Sequence, residues 1–172
     1  MDFNDIKSEK TNFKVSDVFS YEGAVQLWGK NTFIALNFPK DRPEDKYFDI
    51  LAEKITAQIK WIEENRKKME KALTDYECIS LAEDWASSAE EADDEEQECY
   101  IMEDGQKVFF LISEEEFLNS LYLESISIDF RRDTENPEME LFICCNPDYF
   151  AYHTLHVLVD FEKNVKCSGL AG

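Results

Sequence analysis

Residues 41–88 read DRPEDKYFDILAEKITAQIKWIEENRKKMEKALTDYECISLAEDWASS, and this stretch decides the fold of the chain. Its apolar side chains recur in steps of three and four, with one gap at Arg66. They are Phe48, Leu51, Ile55, Ile59, Ile62, Met69, Leu73, Tyr76 and Ile79. This spacing places them on one face of an α-helix. We therefore predict that the centre of the chain is helical.

A single unbroken helix over this stretch would be about 70 Å long at about 1.5 Å per residue, which exceeds the width of a compact domain of this size. Thr74-Asp75-Tyr76-Glu77 offers a break, because it has the pattern of a capping box. Asp41-Arg42-Pro43-Glu44 offers a start, with a capping carboxylate and a proline in the first turn. We predict two helices, at about 42–72 and about 75–87.

The residues before the helices alternate between apolar and polar, as in β-strands. Two such runs, residues 24–28 and 32–38, are separated by Gly29-Lys30-Asn31. Glycine and asparagine between alternating runs predict a hairpin turn at this place. Residues 1–12 show no such pattern, and we expect them to form a flexible arm.

The residues after the helices also read as strands. Residues 99–112 form two short apolar runs around Asp104-Gly105, which predicts a hairpin. Ser113-Glu114-Glu115-Glu116 is a second capping box, and it predicts the start of a short helix. Alternating runs joined by polar turns then predict an antiparallel meander. These runs cover residues 123–130, 139–143, 153–161 and 165–169.

These elements predict an α+β fold. We expect an antiparallel sheet built from the N-terminal strands, the hairpin and the C-terminal meander, covered on one face by two consecutive amphipathic helices. A chain of 172 residues is long enough for one hydrophobic core without metals or disulfides. We therefore predict a flexible arm at 1–12 and a single domain at 13–172, with an acidic loop at 89–98.

The charge of the chain excludes some classes of partner. Thirty-eight acidic and eighteen basic residues give a formal net charge of −20. Affinity for nucleic acid comes largely from lysine and arginine side chains that displace counterions. We therefore expect no binding to DNA, RNA or anionic membranes. An acidic protein is instead steered toward a basic protein partner, although the charge of a cytosolic protein often serves solubility alone.

The sequence gives two indications of compartment. Residues 1–14 are polar, and the chain has no run of about 18 apolar residues that could span a membrane. Its five cysteines are odd in number and lack paired spacing, which is typical of reduced thiols. We expect a cytoplasmic protein. Cys144 and Cys145 are neighbours on a predicted strand, so one should face the core and the other the surface.

The most acidic segment, residues 90–98, has seven carboxylates in nine positions. They are Glu90, Glu91, Asp93, Asp94, Glu95, Glu96 and Glu98. Mutual repulsion predicts a solvated loop. Two functional alternatives are a strip that mimics nucleic acid toward a basic partner and a calcium loop, although the glycine and ligand spacing of an EF-hand are missing. Trp85, next to this segment, is a candidate anchor for a partner.

No motif in the chain indicates catalysis. His153 and His156 are three apart on a predicted strand, so their side chains should leave opposite faces and not share a metal ion. We expect His153 to be a buried or half-buried structural residue that bonds a turn carbonyl or a tyrosine, and His156 to lie at the surface. No glycine-rich phosphate loop and no nucleophile elbow is present. We therefore expect no catalytic residue, no metal and no cofactor.

Several segments carry a family resemblance. They are the Tyr21-to-Phe38 segment with Tyr-Glu-Gly-x-Val-x-Leu-Trp-Gly-Lys, the helix end at Glu83-Asp84-Trp85, the block from Ser113 to Ile128, and the ending from His153 to Gly172. In this order they resemble a group of bacterial domains of unknown function. The chain departs from that pattern at Tyr152, where a glycine is expected, and before Trp85, where an asparagine is expected.

The resemblance implies a function without chemistry. Members of such groups are often grouped with immunity proteins of bacterial polymorphic toxin systems, and the resemblance brings no catalytic residues. Our main hypothesis is a non-catalytic, acidic protein-binding module of immunity type that neutralises a basic toxin such as a nuclease. The alternatives are a structural or regulatory subunit, and a hydrolase that uses His153 with Asp148 or Asp160. The sequence leaves the oligomeric state open.

Overall fold

The computed structural model describes residues 14–17, 20–38, 44–92 and 97–172. The predicted arm at residues 1–12, the predicted helix start at Asp41 to Pro43, and residues Asp93 to Glu96 of the acidic loop lie outside these ranges.

The described chain contains ten strands and four helices. The strands are β1 (Lys14–Asp17), β2 (Ser20–Leu27), β3 (Lys30–Asn37), β4 (Glu90–Glu91), β5 (Cys99–Ile101), β6 (Lys107–Phe109), β7 (Leu121–Asp129), β8 (Glu138–Cys145), β9 (Thr154–Val159) and β10 (Val165–Ala171). The helices are α1 (Glu44–Glu64), α2 (Arg66–Asp75), α3 (Cys78–Ala86) and α4 (Glu114–Ser120).

The described strands form a large sheet and a small one. The large sheet has the order β1-β2-β3-β7-β8-β9-β10, and the small sheet has the order β4-β5-β6. Strands β7 to β10 form the predicted antiparallel meander. The pairing of β3 with β7 is parallel, with Phe33 opposite Ser125 and Asn37 opposite Asp129. A parallel pair needs a long crossover connection, and the chain from α1 to α4 supplies it.

The core lies between the large sheet and the helices. Inward side chains of the sheet, such as Ile34 and Ile126, are at most 1% exposed, as are Ile55 and Ile59 of α1. The apolar stripe of the helices therefore packs on one face of the sheet, which confirms the α+β prediction. On the other face, register aligns Phe33, Ser125, Phe142 and His156 across four strands.

The helical stretch breaks at places that differ from the prediction. The predicted first helix, 42–72, is two helices, because the chain leaves helical geometry at Asn65. There the side chain Nδ2 of Asn65 donates to the Trp61 carbonyl oxygen at 2.8 Å. The predicted capping box at Thr74 is wrong, since the Thr74 hydroxyl donates back to the Lys71 carbonyl oxygen. The second break falls at Glu77, which has a positive φ of 62°.

The hairpin turns agree with the sequence prediction more closely than the helix breaks do. The first lies one residue earlier than predicted, at Trp28-Gly29, where φ is 48° and 77°. Two consecutive positive φ angles define the tight turn that matches strand twist. The second turn, around Asp104-Gly105, is confirmed. The capping box at Ser113 is also confirmed, with both reciprocal hydrogen bonds to Glu116 in place.

Replacing Ser113 by alanine tests that cap. The hydroxyl accepts from the Glu116 N–H at 3.2 Å, so its loss leaves an orphan donor at the start of α4. We expect the free energy of unfolding to fall by about 1 kcal/mol, measured by urea denaturation. Glu115→Gln, an exposed change in the same turn, serves as the control and should leave stability within about 0.5 kcal/mol. Equal stability of Ser113→Ala and the wild type would contradict a functional cap.

Candidate functional site

The negative charge is concentrated in one part of the chain. Residues 72–130 contain eighteen carboxylates and one basic residue, Lys107. The other residues contain twenty carboxylates and seventeen basic residues, so their charges nearly balance. Residues 72–130, called the acidic segment from here on, include α3, the small sheet, α4 and β7.

Most carboxylates of the acidic segment that the structure describes face solvent without a cation. Eleven of them are exposed and form no salt bridge with a described residue. They are Glu77, Asp84, Glu90, Glu91, Glu98, Glu103, Asp104, Glu114, Glu115, Glu116 and Glu124. Unpaired charges of one sign produce a negative potential that extends into solvent and attracts cationic groups.

The predicted acidic loop is in part a strand. Glu90 and Glu91 form β4 and pair with Ile101 and Tyr100 of β5, and both glutamate side chains stay exposed. Glu98 accepts a hydrogen bond from the Tyr100 hydroxyl at 2.6 Å. This bond to a carboxylate raises the pKa of Tyr100. The small sheet thus presents these carboxylates from ordered backbone.

Trp85 lies at the edge of the core. Its ring centroid is 6.3 Å from that of Phe150 and 5.1 Å from that of His153, and it is half-buried. The His153 Nδ1 lies 2.9 Å from the Phe150 carbonyl oxygen and 3.1 Å from the Ala151 carbonyl oxygen. Because carbonyl oxygens only accept, Nδ1 carries the proton. Of the two partners expected for His153, a turn carbonyl or a tyrosine, the structure shows the turn carbonyl.

The structure does not join His153 to the carboxylates considered with it. Asp148 accepts from the backbone N–H groups of Phe150 and Tyr152 and so holds its own loop. Asp160 accepts from the N–H groups and side chain of the following turn, which lowers the pKa of Asp160. Neither carboxylate forms a hydrogen bond with His153 among the described residues.

His156 belongs to a cluster that sequence reasoning missed. Its Nδ1 is 2.8 Å from the Ser168 hydroxyl, and its Nε2 is 3.3 Å from the Glu140 carboxylate. The Phe142 ring stacks on the imidazole with centroids 4.9 Å apart. The Ser168 hydroxyl also lies 3.2 Å from the His156 carbonyl oxygen, and it can donate to only one of these acceptors. The arrangement cross-links β8, β9 and β10 on the face opposite the helices.

A cleft of about 330 Å³ lies between β6 and α4 of the acidic segment and residues 146–149. This volume is near the lower end of those of ligand pockets, which are about 300–1,000 Å³. Its lining combines one cation, one carboxylate, two asparagine amides, an aliphatic floor and two aromatic rings. The residues are Lys107, Val108, Phe109, Ile112, Glu116, Asn119, Ser120, Asn146, Pro147 and Tyr149.

Two contacts hold the tip of the β5–β6 hairpin against residues 146–149. The Gln106 side chain donates from Nε2 to Asn146 Oδ1 at 2.5 Å, and the Asp148 N–H donates to Asp104 Oδ2 at 2.9 Å. Partial burial opposes the ionisation of Asp104, but the N–H donors of Gln106 and Asp148 outweigh it and lower the pKa of Asp104. The ionised Asp104 therefore helps to hold the hairpin tip against the loop of residues 146–149.

The opposite wall of the cleft is α4. Glu116 lines the cleft. Its carboxylate accepts hydrogen bonds from the Ser113 hydroxyl and, with a smaller effect, from the Ser113 N–H, and both bonds lower the pKa of Glu116. Phe117, on the same helix, is fully buried and stacks on Tyr149 with centroids 6.1 Å apart. The wall is thus anchored in the core. Sequence reasoning identified the turn at Asp104-Gly105 and the helix that starts at Ser113, but not that they enclose a cleft.

The described residues give three further findings, on metal-binding groups, membrane-spanning helices and cysteines. They bring together no group of three or more histidine, cysteine, aspartate or glutamate side chains suited to a metal ion. None of the helices α1 to α4 is both long and apolar enough to cross a bilayer. All five cysteines, which lie in the described ranges, are free. Cys145 is buried, as predicted for one of the neighbouring pair, whereas Cys144, the one expected at the surface, is half-buried.

Comparison with known proteins places the chain in a family. No curated protein and no solved structure matches it. A bacterial family of unknown function matches residues 9–170, which is nearly the whole chain, and this confirms the family part of the resemblance. The chain belongs to the family described as "Uncharacterized protein conserved in bacteria (DUF2262)".

Proposed function

We propose that this protein is a non-catalytic binding module that captures a basic protein, in the manner of an immunity protein that neutralises a basic toxin such as a nuclease. The observation that carries the proposal is the acidic segment. Residues 72–130 contain eighteen carboxylates and one lysine, and the described part of this segment includes α3, the small sheet and α4. A basic nuclease cleft is complementary to such a surface because it is built to hold phosphates.

The arrangement of the charge supports a binding surface more than a general aid to solubility. A charge that served solubility alone would need no concentration in one segment. Here the remaining residues are nearly balanced, and salt bridges such as Arg66–Glu70 and Lys60–Glu64 lie on α1 and α2. The acidic segment would attract a cationic partner and orient it before contact.

A charge-neutralising variant tests the proposal. The variant combines Glu90→Gln, Glu103→Gln and Glu114→Gln, three exposed side chains without a salt bridge. Binding to basic proteins encoded in neighbouring genes is measured by isothermal titration calorimetry. We expect roughly tenfold weaker binding, since exposed ion pairs contribute about 0.2–1 kcal/mol each. Raising the salt from about 0.05 M to about 0.5 M should weaken wild-type binding as well, because salt screens exposed charges.

The matched control has the same change in net charge outside the acidic segment. It combines Glu53→Gln, Glu64→Gln and Glu162→Gln, which are also exposed. We expect binding within about threefold of the wild type, because these side chains lie outside the proposed surface. An equal loss of binding affinity in the two triple variants would show that the effect depends on net charge and not on the acidic segment. Absence of any binding at low salt would contradict the proposal and favour a structural or regulatory subunit.

A further inference from the structure

We propose that the free edge of β6, Lys107–Phe109, binds an extended basic segment of the partner, which adds a fourth strand to the small sheet. This inference rests on the proposed function, since it names how the basic partner is held. Strand β6 is at the end of the order β4-β5-β6, so one of its edges has no neighbouring strand among the described residues.

The hydrogen-bond register shows which backbone groups lie on that edge. Met102 N–H donates to the Gln106 carbonyl oxygen, and Phe110 N–H donates to the Glu98 carbonyl oxygen. Hydrogen-bonded pairs alternate along an antiparallel ladder, so Val108 is the residue of β6 that bonds to β5. The N–H and C=O groups of Lys107 and Phe109 therefore point away from β5.

The β4–β5 ladder confirms this register independently. Ala92 N–H donates to the Cys99 carbonyl oxygen, so Cys99 faces β4. Its neighbour Tyr100 then faces β6, opposite Val108. The backbone groups of Lys107 and Phe109 have no hydrogen-bond partner among the described residues. These two residues offer two N–H donors and two C=O acceptors, spaced two residues apart as on the edge of a strand.

The space beside this edge is the cleft. Lys107, Val108 and Phe109 all line it, and α4 and Pro147 bound it on the other sides. Proteins usually blunt an open edge with charges or cover it with another element, because it is a template for strand pairing. Here the covering elements leave a volume of about 330 Å³ beside the edge. A peptide strand added to this edge would form hydrogen bonds with both N–H groups and both C=O groups at once.

Charge and exposure specify the residues of that strand. The Glu116 carboxylate lines the cleft, the Asp104 carboxylate accepts from the Asp148 N–H in the loop that bounds it, and Lys107 is the one cation of the acidic segment. Phe109 is 42% exposed and Leu111 is 77% exposed, so apolar surface is also available along the edge. The complementary segment alternates basic and apolar side chains.

The test uses two variants that differ at one backbone group. Phe109→Ala and Phe109→Pro both remove the ring, but only proline removes the N–H that faces the cleft. Proline is tolerated here in principle because this N–H is outside the β5–β6 ladder and the preceding residue, Val108, is in a strand. The probe is a fluorescent heptapeptide of alternating lysine and valine with blocked ends, and binding is followed by fluorescence anisotropy.

We expect the peptide to bind Phe109→Pro roughly tenfold more weakly than Phe109→Ala, since the proline removes one hydrogen bond to the peptide and its ring hinders the approach of the peptide strand. A control peptide with prolines in place of the valines should bind weakly to both variants. A second readout on the wild type needs no variant. Peptide addition should slow amide exchange at Lys107 and Phe109 and leave Val108, which already bonds to β5, unchanged.

Two results would overturn the inference. One is equal binding of the lysine–valine peptide by both variants together with unchanged exchange at Lys107 and Phe109. The other is equal binding of the proline-containing peptide, which would indicate attraction by surface charge alone. If the basic proteins of the salt experiment still bind in either case, the proposed function stands without the β6 site. If basic proteins and peptides all fail to bind at low salt, both proposals fail.

Discussion

Replacing Phe117 by alanine is expected to lower the free energy of unfolding by about 3–5 kcal/mol, the range for a large aromatic side chain in a well-packed core. Phe117 is 0% exposed, and its ring stacks on Tyr149. It anchors α4, the wall of the cleft, because α4 has only seven residues and is too short to be stable alone. A loss of this size is a large part of a total stability of about 5–15 kcal/mol.

Chemical denaturation measures this loss as a lower midpoint with an unchanged slope. Phe117→Leu is the control, since it keeps most of the apolar volume and should cost less than about 1.5 kcal/mol. Because α4 carries Glu116 and Asn119 of the cleft, Phe117→Ala should also weaken peptide binding at β6. A loss below about 1 kcal/mol would contradict close packing of α4 against the loop that contains Tyr149.

The parts of the fold that were predictable from the sequence are those set by neighbouring residues. The helical stripe from Leu51 to Leu73, the capping box at Ser113 and the turn at Asp104-Gly105 are short-range signals with a local physical cause. The meander followed from short polar turns, which leave consecutive strands few other partners. Each of these predictions is confirmed because tertiary contacts reinforce the local preference.

The parts that were missed depend on residues far apart in the chain. The parallel pairing of β3 with β7 joins Phe33 to Ser125, and no local pattern indicates it. The capping pattern at Thr74 failed because an equally local alternative, a bond from its hydroxyl to the Lys71 carbonyl oxygen, fits the last turn of α2.

The candidate site was predictable only in its charge. The acidic residues near Glu90 were visible in the sequence, but their assignment to a loop missed β4, since strand pairing with β5 outweighs the low β-propensity of glutamate. The cleft was invisible because α4, β6 and residues 146–149 meet there only after folding. The open edge of β6 requires the hydrogen-bond register, which the sequence does not give.

Arg66, the gap in the apolar stripe, shows how a local irregularity can record a distant contact. Its Nη2 donates to the carbonyl oxygens of Leu118 at 3.0 Å and Leu121 at 3.3 Å, at the C-terminal end of α4. Its Nε donates to Glu70 at 2.7 Å, and its guanidinium lies 5.0 Å from the Trp28 ring. A cation near a helix C-terminus also interacts favourably with the helix dipole. An apolar residue at this position would leave these carbonyl groups without that donor.

Replacing Arg66 by alanine is therefore expected to lower the free energy of unfolding by about 2–3 kcal/mol, because hydrogen bonds from charged groups are lost and carbonyl acceptors are left partly unsatisfied. Arg66→Lys should recover only part of this loss, since an ammonium lacks the planar fork that reaches α4 and Glu70 together. Lys67→Ala, an exposed change on the same helix, is the control and should stay within about 0.5 kcal/mol. If Arg66→Ala were as stable as Lys67→Ala, α4 would hold its position through Phe117 alone, and the irregularity at Arg66 would have no structural role.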